Sequence, residues 1–202
     1  MPCYHKFVDD LTLERIDFKP ETLIVGTFNP SWENLDNYAP WFYGRTRNNY
    51  FWDILPKLYG EKPLRQASPT EWKSFCRTYR LALTDLIACV NDADCDNPQH
   101  AEYLKTYRDD LLAKCFRQFT FVDIPKLLAG HPTISKVYLT RSTNDPFWQQ
   151  LWHPVEDYGQ QHGIITQALL TPSGGARFQI PKGKKISLGD FIFEQWLKCW
   201  DI

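Results

Sequence analysis

The chain has 202 residues, 43% of them hydrophobic and 15% aromatic, and carries a formal net charge of −1. That length fits one domain spanning 1–202, and that apolar content excludes a disordered chain. No apolar run reaches the ~18 residues of a membrane span, and near-neutral charge does not by itself advertise a nucleic-acid binder.

In chain order, Thr22–Gly26 (TLIVG) is a short apolar run ending in glycine, which predicts a strand buried on both faces. Asn29-Pro30 stops it and opens a loop that reaches about Asn48. Residues 49–59 predict a helix perturbed by Pro56. Ser68-Pro69-Thr70-Glu71 is a helix start, with a hydroxyl cap, a first-turn proline and a glutamate completing a capping box. That helix ends near Arg80, and Leu81 to Ile87 (LALTDLI) predicts a second strand. An acidic loop follows over 91–98, then a helix over 99–115 and a short helix over 123–129 closed by Gly130. A third strand is expected over 136–140, a helix over 145–152 and a fourth strand over 164–170. Ser187 caps a last helix that runs to about Trp200, with Asp190 in its first turn.

Strands alternating with helices predict an α/β fold: a three-layer α/β/α sandwich around a central, mainly parallel four-stranded sheet. Ligands of such folds sit beyond the carboxyl ends of the strands. Four segments fall there: 26–30, 84–89, 140–144 and 171–177.

The six cysteines form no C-x-x-C pair and no secretory pattern opens the chain, so reduced cytoplasmic thiols are expected rather than disulfides. The five histidines lack ligand spacing. Walker, G-x-G-x-x-G, G-x-S-x-G and H-E-x-x-H motifs are missing, so no metal and no cofactor are expected.

Three loops hold the remaining candidates. In Gly26-Thr27-Phe28-Asn29-Pro30, glycine permits close backbone approach and Asn29 supplies a polar side chain. Trp41 to Trp52 packs six aromatics, two Arg and two Asn into twelve positions, with Tyr43 placed to offer a ring to a planar ligand. Thr171 to Phe178 is a small-residue loop carrying Arg177, followed by Lys182, Lys184 and Lys185 with no acid nearby. Backbone N–H groups of such loops bind phosphate. Each loop taken alone also reads as a turn or an ordinary solvated surface.

Taken in order, the three loops resemble the uracil-DNA glycosylase superfamily, and most nearly its mismatch-specific uracil/thymine and hypoxanthine-type branches. GTFNP is similar to the G-I-N-P-G and G-S-F-P motifs, Phe42 to Trp52 to Y-Y-A-H-P-R-N-R-F-W, and Pro172 to Arg177 to P-S-S-S-A-R. The first two segments each carry one extra residue, so Asn29, Asn48 and Asn49 all remain candidates for the catalytic asparagine. Asp85 in Thr84-Asp85-Leu86 stands where the family often has Asn, and a carboxylate accepts hydrogen bonds where an amide also donates.

The resemblance implies a monofunctional DNA glycosylase that excises a flipped-out uracil, thymine or hypoxanthine. Gly26, Thr27, Phe28, Tyr43 and Asp85 would contact the base. Ser173, Gly174, Gly175, Lys182, Lys184 and Lys185 would contact the DNA backbone, and Arg177 would act as the wedge. The expected partner is DNA with a damaged or mismatched base, bound by a monomer away from membranes. The alternative is a catalytically inactive DNA- or nucleotide-binding module of the same fold.

Overall fold

A computed structural model describes residues 1–35 and 37–201. Its strands and α-helices are β1 (Cys3–Tyr4), β2 (Thr22–Gly26), α1 (Phe51–Leu58), α2 (Pro69–Thr78), β3 (Leu81–Asp85), β4 (Ile87–Val90), α3 (Pro98–Lys105), α4 (Asp109–Cys115), β5 (Phe119–Phe121), α5 (Ile124–Gly130), β6 (Lys136–Leu139), α6 (Pro146–His162), β7 (Ile165–Ala168) and α7 (Leu188–Leu197). Short 3-10 helices occupy Val8–Asp10, Glu33–Leu35 and Gly174–Gln179. Strands β3, β2, β6 and β7 lie in that order in one parallel sheet.

Period-two alternation along the strands builds two cores. Leu23, Val25, Val137 and Leu139 join one core, which α4, α5 and α6 close with Leu112, Ile124, Leu127, Trp148 and Trp152. Ile24, Leu83 and Tyr138 join the other, closed by Phe51, Trp52, Trp72, Ile192 and Trp196 from α1, α2 and α7. A parallel sheet covered on both faces is the expected three-layer sandwich.

The capping box forms as read: Glu71 N–H donates to Ser68 Oγ at 3.3 Å, and Ser68 N–H donates to Glu71 Oε2 at 2.7 Å. No helix among the described residues is long and apolar enough to cross a membrane. The six cysteines are free thiols.

Three expectations need correction. The run 81–87 is not one strand. β3 stops at Asp85, and β4 turns away to pair antiparallel with β1 and β5 in a second, three-stranded sheet. Leu86 is as apolar as its neighbours, so hydrophobic pattern gives no mark at the break. The helix 99–115 is two helices, interrupted at Tyr107, whose φ is +53°. The helix begun at 145–152 continues to His162, because Trp152, Val155 and Gly159 extend its buried face past Pro154. Gly163 in the left-handed conformation then ends it.

Candidate active site

The carboxyl ends of β2, β3 and β6 and the segment after β7 open on one cavity of about 840 Å³. The parallel register explains the convergence, since Gly26 pairs with Asp85 and Thr140 follows the end of β6. Gly26–Asn29, Tyr43–Arg45, Asn48, Asn49, Asp85 and Thr171–Gly175 all line it. The three loops singled out in the sequence therefore meet. A further wall, Thr106–Asp110, comes from the junction of α3 and α4.

At the floor, Asp85 is 5% exposed and His5 is 1% exposed. His5 Nδ1 accepts the Phe7 N–H at 3.0 Å. The ring proton therefore sits on Nε2 and is donated to Asp85 Oδ2, 2.7 Å away. Asp85 Oδ1 is left beside the Cα of Gly26. A Cβ at Gly26 would collide with Asp85 Oδ1 and come within 2.8 Å of the Tyr43 hydroxyl, so this position needs glycine for lack of space.

Tyr43, at φ +56°, stacks face to face on Phe51 with ring centroids 3.7 Å apart. Its hydroxyl lies 2.9 Å from Thr140 Oγ1, whose own proton is directed to the Val25 carbonyl. Assigning the Thr140 proton to the Val25 carbonyl makes Tyr43 the donor in that pair. Burial, reinforced by Asp85, pushes its phenol well up and keeps the proton in place.

The three asparagines occupy different settings. Asn29 is 8% exposed, and its Oδ1 accepts from Asn37 Nδ2 at 2.7 Å, which leaves its own N–H groups for a ligand. Asn49 Oδ1 accepts the Phe51 N–H at 2.9 Å and starts α1. Asn48 is exposed at the rim, and its carbonyl accepts the Gly174 N–H at 3.2 Å. Tyr50 N–H reaches the Pro172 carbonyl at 2.7 Å, so the second and third loops are stitched together.

Sequence reasoning missed four residues. His5 comes from the far N-terminus. Asp109 accepts from Thr27 Oγ1 at 2.9 Å and from Arg141 Nη1 at 2.8 Å, clamping the ends of β2 and β6 to α4. Burial pushes its carboxyl up, against the pull of Arg141. Arg141 lies over the Trp148 ring at 3.8 Å. Tyr107 carries the Arg45 guanidinium 3.5 Å above its ring, and Arg45 Nε is buried without a partner among the described residues. Six acids fall between Asp92 and Asp110, and charge alone does not separate Asp109 from the other five.

In the third loop, Ser173 Oγ lies 3.0 Å from Thr171 Oγ1. A Cβ at Gly174 would meet nothing, so the rim is open there without needing glycine. Arg177 is exposed and stands outside the cavity lining, whereas Phe178 lines the mouth with 93% of its surface exposed. Lys182, Lys184 and Lys185 are exposed beyond the rim, and Lys184 Nζ pairs with Glu194 at 2.6 Å.

No protein-family model and no curated protein matches the chain. Its structure is similar to the solution NMR structure of a candidate uracil DNA glycosylase from Methanosarcina acetivorans, with a TM-score of 0.56 and 16% identity over 91% of this chain and 90% of that one. The two share a fold. The expected uracil-DNA glycosylase-like sandwich is the observed architecture.

Proposed function

We propose that the protein is a DNA glycosylase, a monofunctional hydrolase that cuts the N-glycosidic bond of a base flipped out of DNA. One observation carries this reading: three loops that resemble glycosylase motifs converge on one cavity at the carboxyl ends of the parallel strands. Its volume of about 840 Å³ falls within the ~300–1,000 Å³ of small-ligand pockets. The glycosylase-like neighbour supports it at the level of fold. The resemblance implies a deaminated or mismatched base, namely uracil, thymine or hypoxanthine.

Flipping costs a few kcal/mol, so something must hold the duplex open. Phe178, at the mouth, is suited to fill the vacated stack, with Arg177 beside it on the backbone. Ser173 and the Gly175 amide face the phosphates on this reading, with Lys182 and Lys185 adding salt-dependent affinity. Phe28 supplies a ring against the base.

Cleavage moves the bonding pair of C1′–N onto the base while water oxygen bonds to C1′. The amides of Thr27 and Phe28, which make no backbone bond among the described residues, and Asn29 Nδ2 stabilise the departing base. On this reading Asp109, which lines the cavity, stabilises the positive sugar and takes the proton of the attacking water.

The test is alkaline strand scission of duplexes holding uracil, thymine opposite guanine, hypoxanthine, 5-hydroxycytosine or 7-methylguanine. Abasic product from at least one is expected, and none from any overturns the reading. Both oxygens of Asp109 are already bonded, which favours a second reading, a binding module. DNA retention without abasic product selects it.

A further inference from the structure

We infer that the cavity floor reads a base through an exocyclic amino group, in place of the carbonyl-bearing deaminated bases. The inference rests on the glycosylase reading and replaces the deaminated bases that the resemblance implies. Two oxygens define the floor. Asp85 Oδ2 is occupied by His5 Nε2–H, so Oδ1 is the carboxylate oxygen left to a ligand. Tyr43 spends its proton on Thr140, whose hydroxyl donates onward to Val25, so the phenol oxygen offers a lone pair. Both oxygens lie within 2.8 Å of the point where a Cβ on Gly26 would stand.

The floor is therefore an acceptor pair, with no side-chain donor between the two oxygens among the described residues. An amino group supplies two N–H bonds in one plane, one for each oxygen. A base carbonyl in the same place would set its lone pairs against Asp85 Oδ1. That contact is repulsive, and it leaves a buried acceptor unpaired. His5 holds this arrangement in a specific way. Because its Nδ1 is committed to the Phe7 N–H, the ring delivers its proton to Asp85 Oδ2 and leaves Oδ1 as the acceptor open to a ligand. Burial keeps water from screening the choice, since Asp85 is 5% exposed.

The experiment uses two isosteric pairs of free bases, cytosine against uracil and adenine against hypoxanthine, titrated into the full chain by ligand-observed NMR. The amino member of each pair is expected to bind about ten- to a hundredfold tighter, as for sites whose buried polar groups one ligand satisfies and its analogue does not. Asp85→Asn, which restores a donor of the same size, is expected to reverse the order. Equal or tighter binding of uracil and hypoxanthine, an unchanged order in Asp85→Asn, or no binding of any of the four overturns the inference. Amino selectivity without excision of any lesion would remove the glycosylase reading alone. Excision of uracil with cytosine rejected would remove the inference alone.

Discussion

The same four strands end in two different materials. On the face covered by α1, α2 and α7, rings pack on rings: Trp52 on Trp72 at 4.9 Å, Tyr138 on Trp200 at 4.2 Å, and Trp196 parallel to Trp200 at 6.0 Å. At the carboxyl ends, a few residues further on, the groups are polar and paired through single hydrogen bonds. The aromatic face is redundant and apolar, and it stabilises through area. The strand ends are sparse, and each group there is held by one or two named partners. High aromatic content therefore serves the packing first. Of the six rings between Trp41 and Trp52, Phe42, Phe51 and Trp52 are at most 1% exposed, while Tyr43 reaches the cavity.

This contrast sets what mutations should do. The largest effect on stability is expected at the aromatic face. Trp52→Ala should cost about 3–5 kcal/mol, read as a lower denaturation midpoint; a loss under 1 kcal/mol would show that the ring stack is not the support described. Gly26→Ala should come next and act at the strand end, because its methyl meets Asp85 and the Tyr43 hydroxyl. Excision is expected to fall about a hundredfold or more, in line with misplaced active-site groups, with cooperative unfolding retained.

Asp109→Asn is expected to lower single-turnover excision by about 10²-fold or more. If Asp109 is the base of the proposed glycosylase, excision needs its ionised carboxylate and should fall as pH drops through the Asp109 pKa. Burial raises that pKa, which places the acid limb above the usual carboxylate range, and the variant should lose the limb. Phe178→Ala should reduce excision from duplexes about tenfold while sparing single strands, since only duplex has a stack to refill. Smallest is Ser68→Ala, expected to cost about 1 kcal/mol of stability through the lost cap and nothing in excision. A change in excision there would break the separation of the two regions.

How much could be read beforehand follows the same division. Thr22–Gly26, the Ser68 capping box and the four-stranded sheet were legible because hydrophobic period and cap chemistry are local. The first and third loops were legible as candidates because each follows a strand, and the second because aromatic, Arg and Asn residues crowd it. His5 was not, since its partner Asp85 lies 80 residues away and nothing near His5 announces the pairing. The Tyr107 break was hidden because a tyrosine, rather than a glycine, takes the left-handed turn. The choice between Arg177 and Phe178 at the mouth depends on how the 3-10 turn over 174–179 rotates them, which composition does not record.

The backing of the floor comes from the start of the chain. His5 N–H bonds to the Ala88 carbonyl at 2.8 Å, Lys6 N–H to Asn29 at 2.7 Å, and Ser31 N–H to Tyr4 at 3.0 Å. Of residues 1–5, Cys3 is the hydrophobic side chain buried in a core. A polypeptide trimmed by an aminopeptidase past residue 5 would keep every residue of the four-stranded sheet and still lose the imidazole that holds Asp85. Such a product would look intact by size and circular dichroism while being blind to its ligand, so the state of the N-terminus is a quality check that any activity measurement should carry.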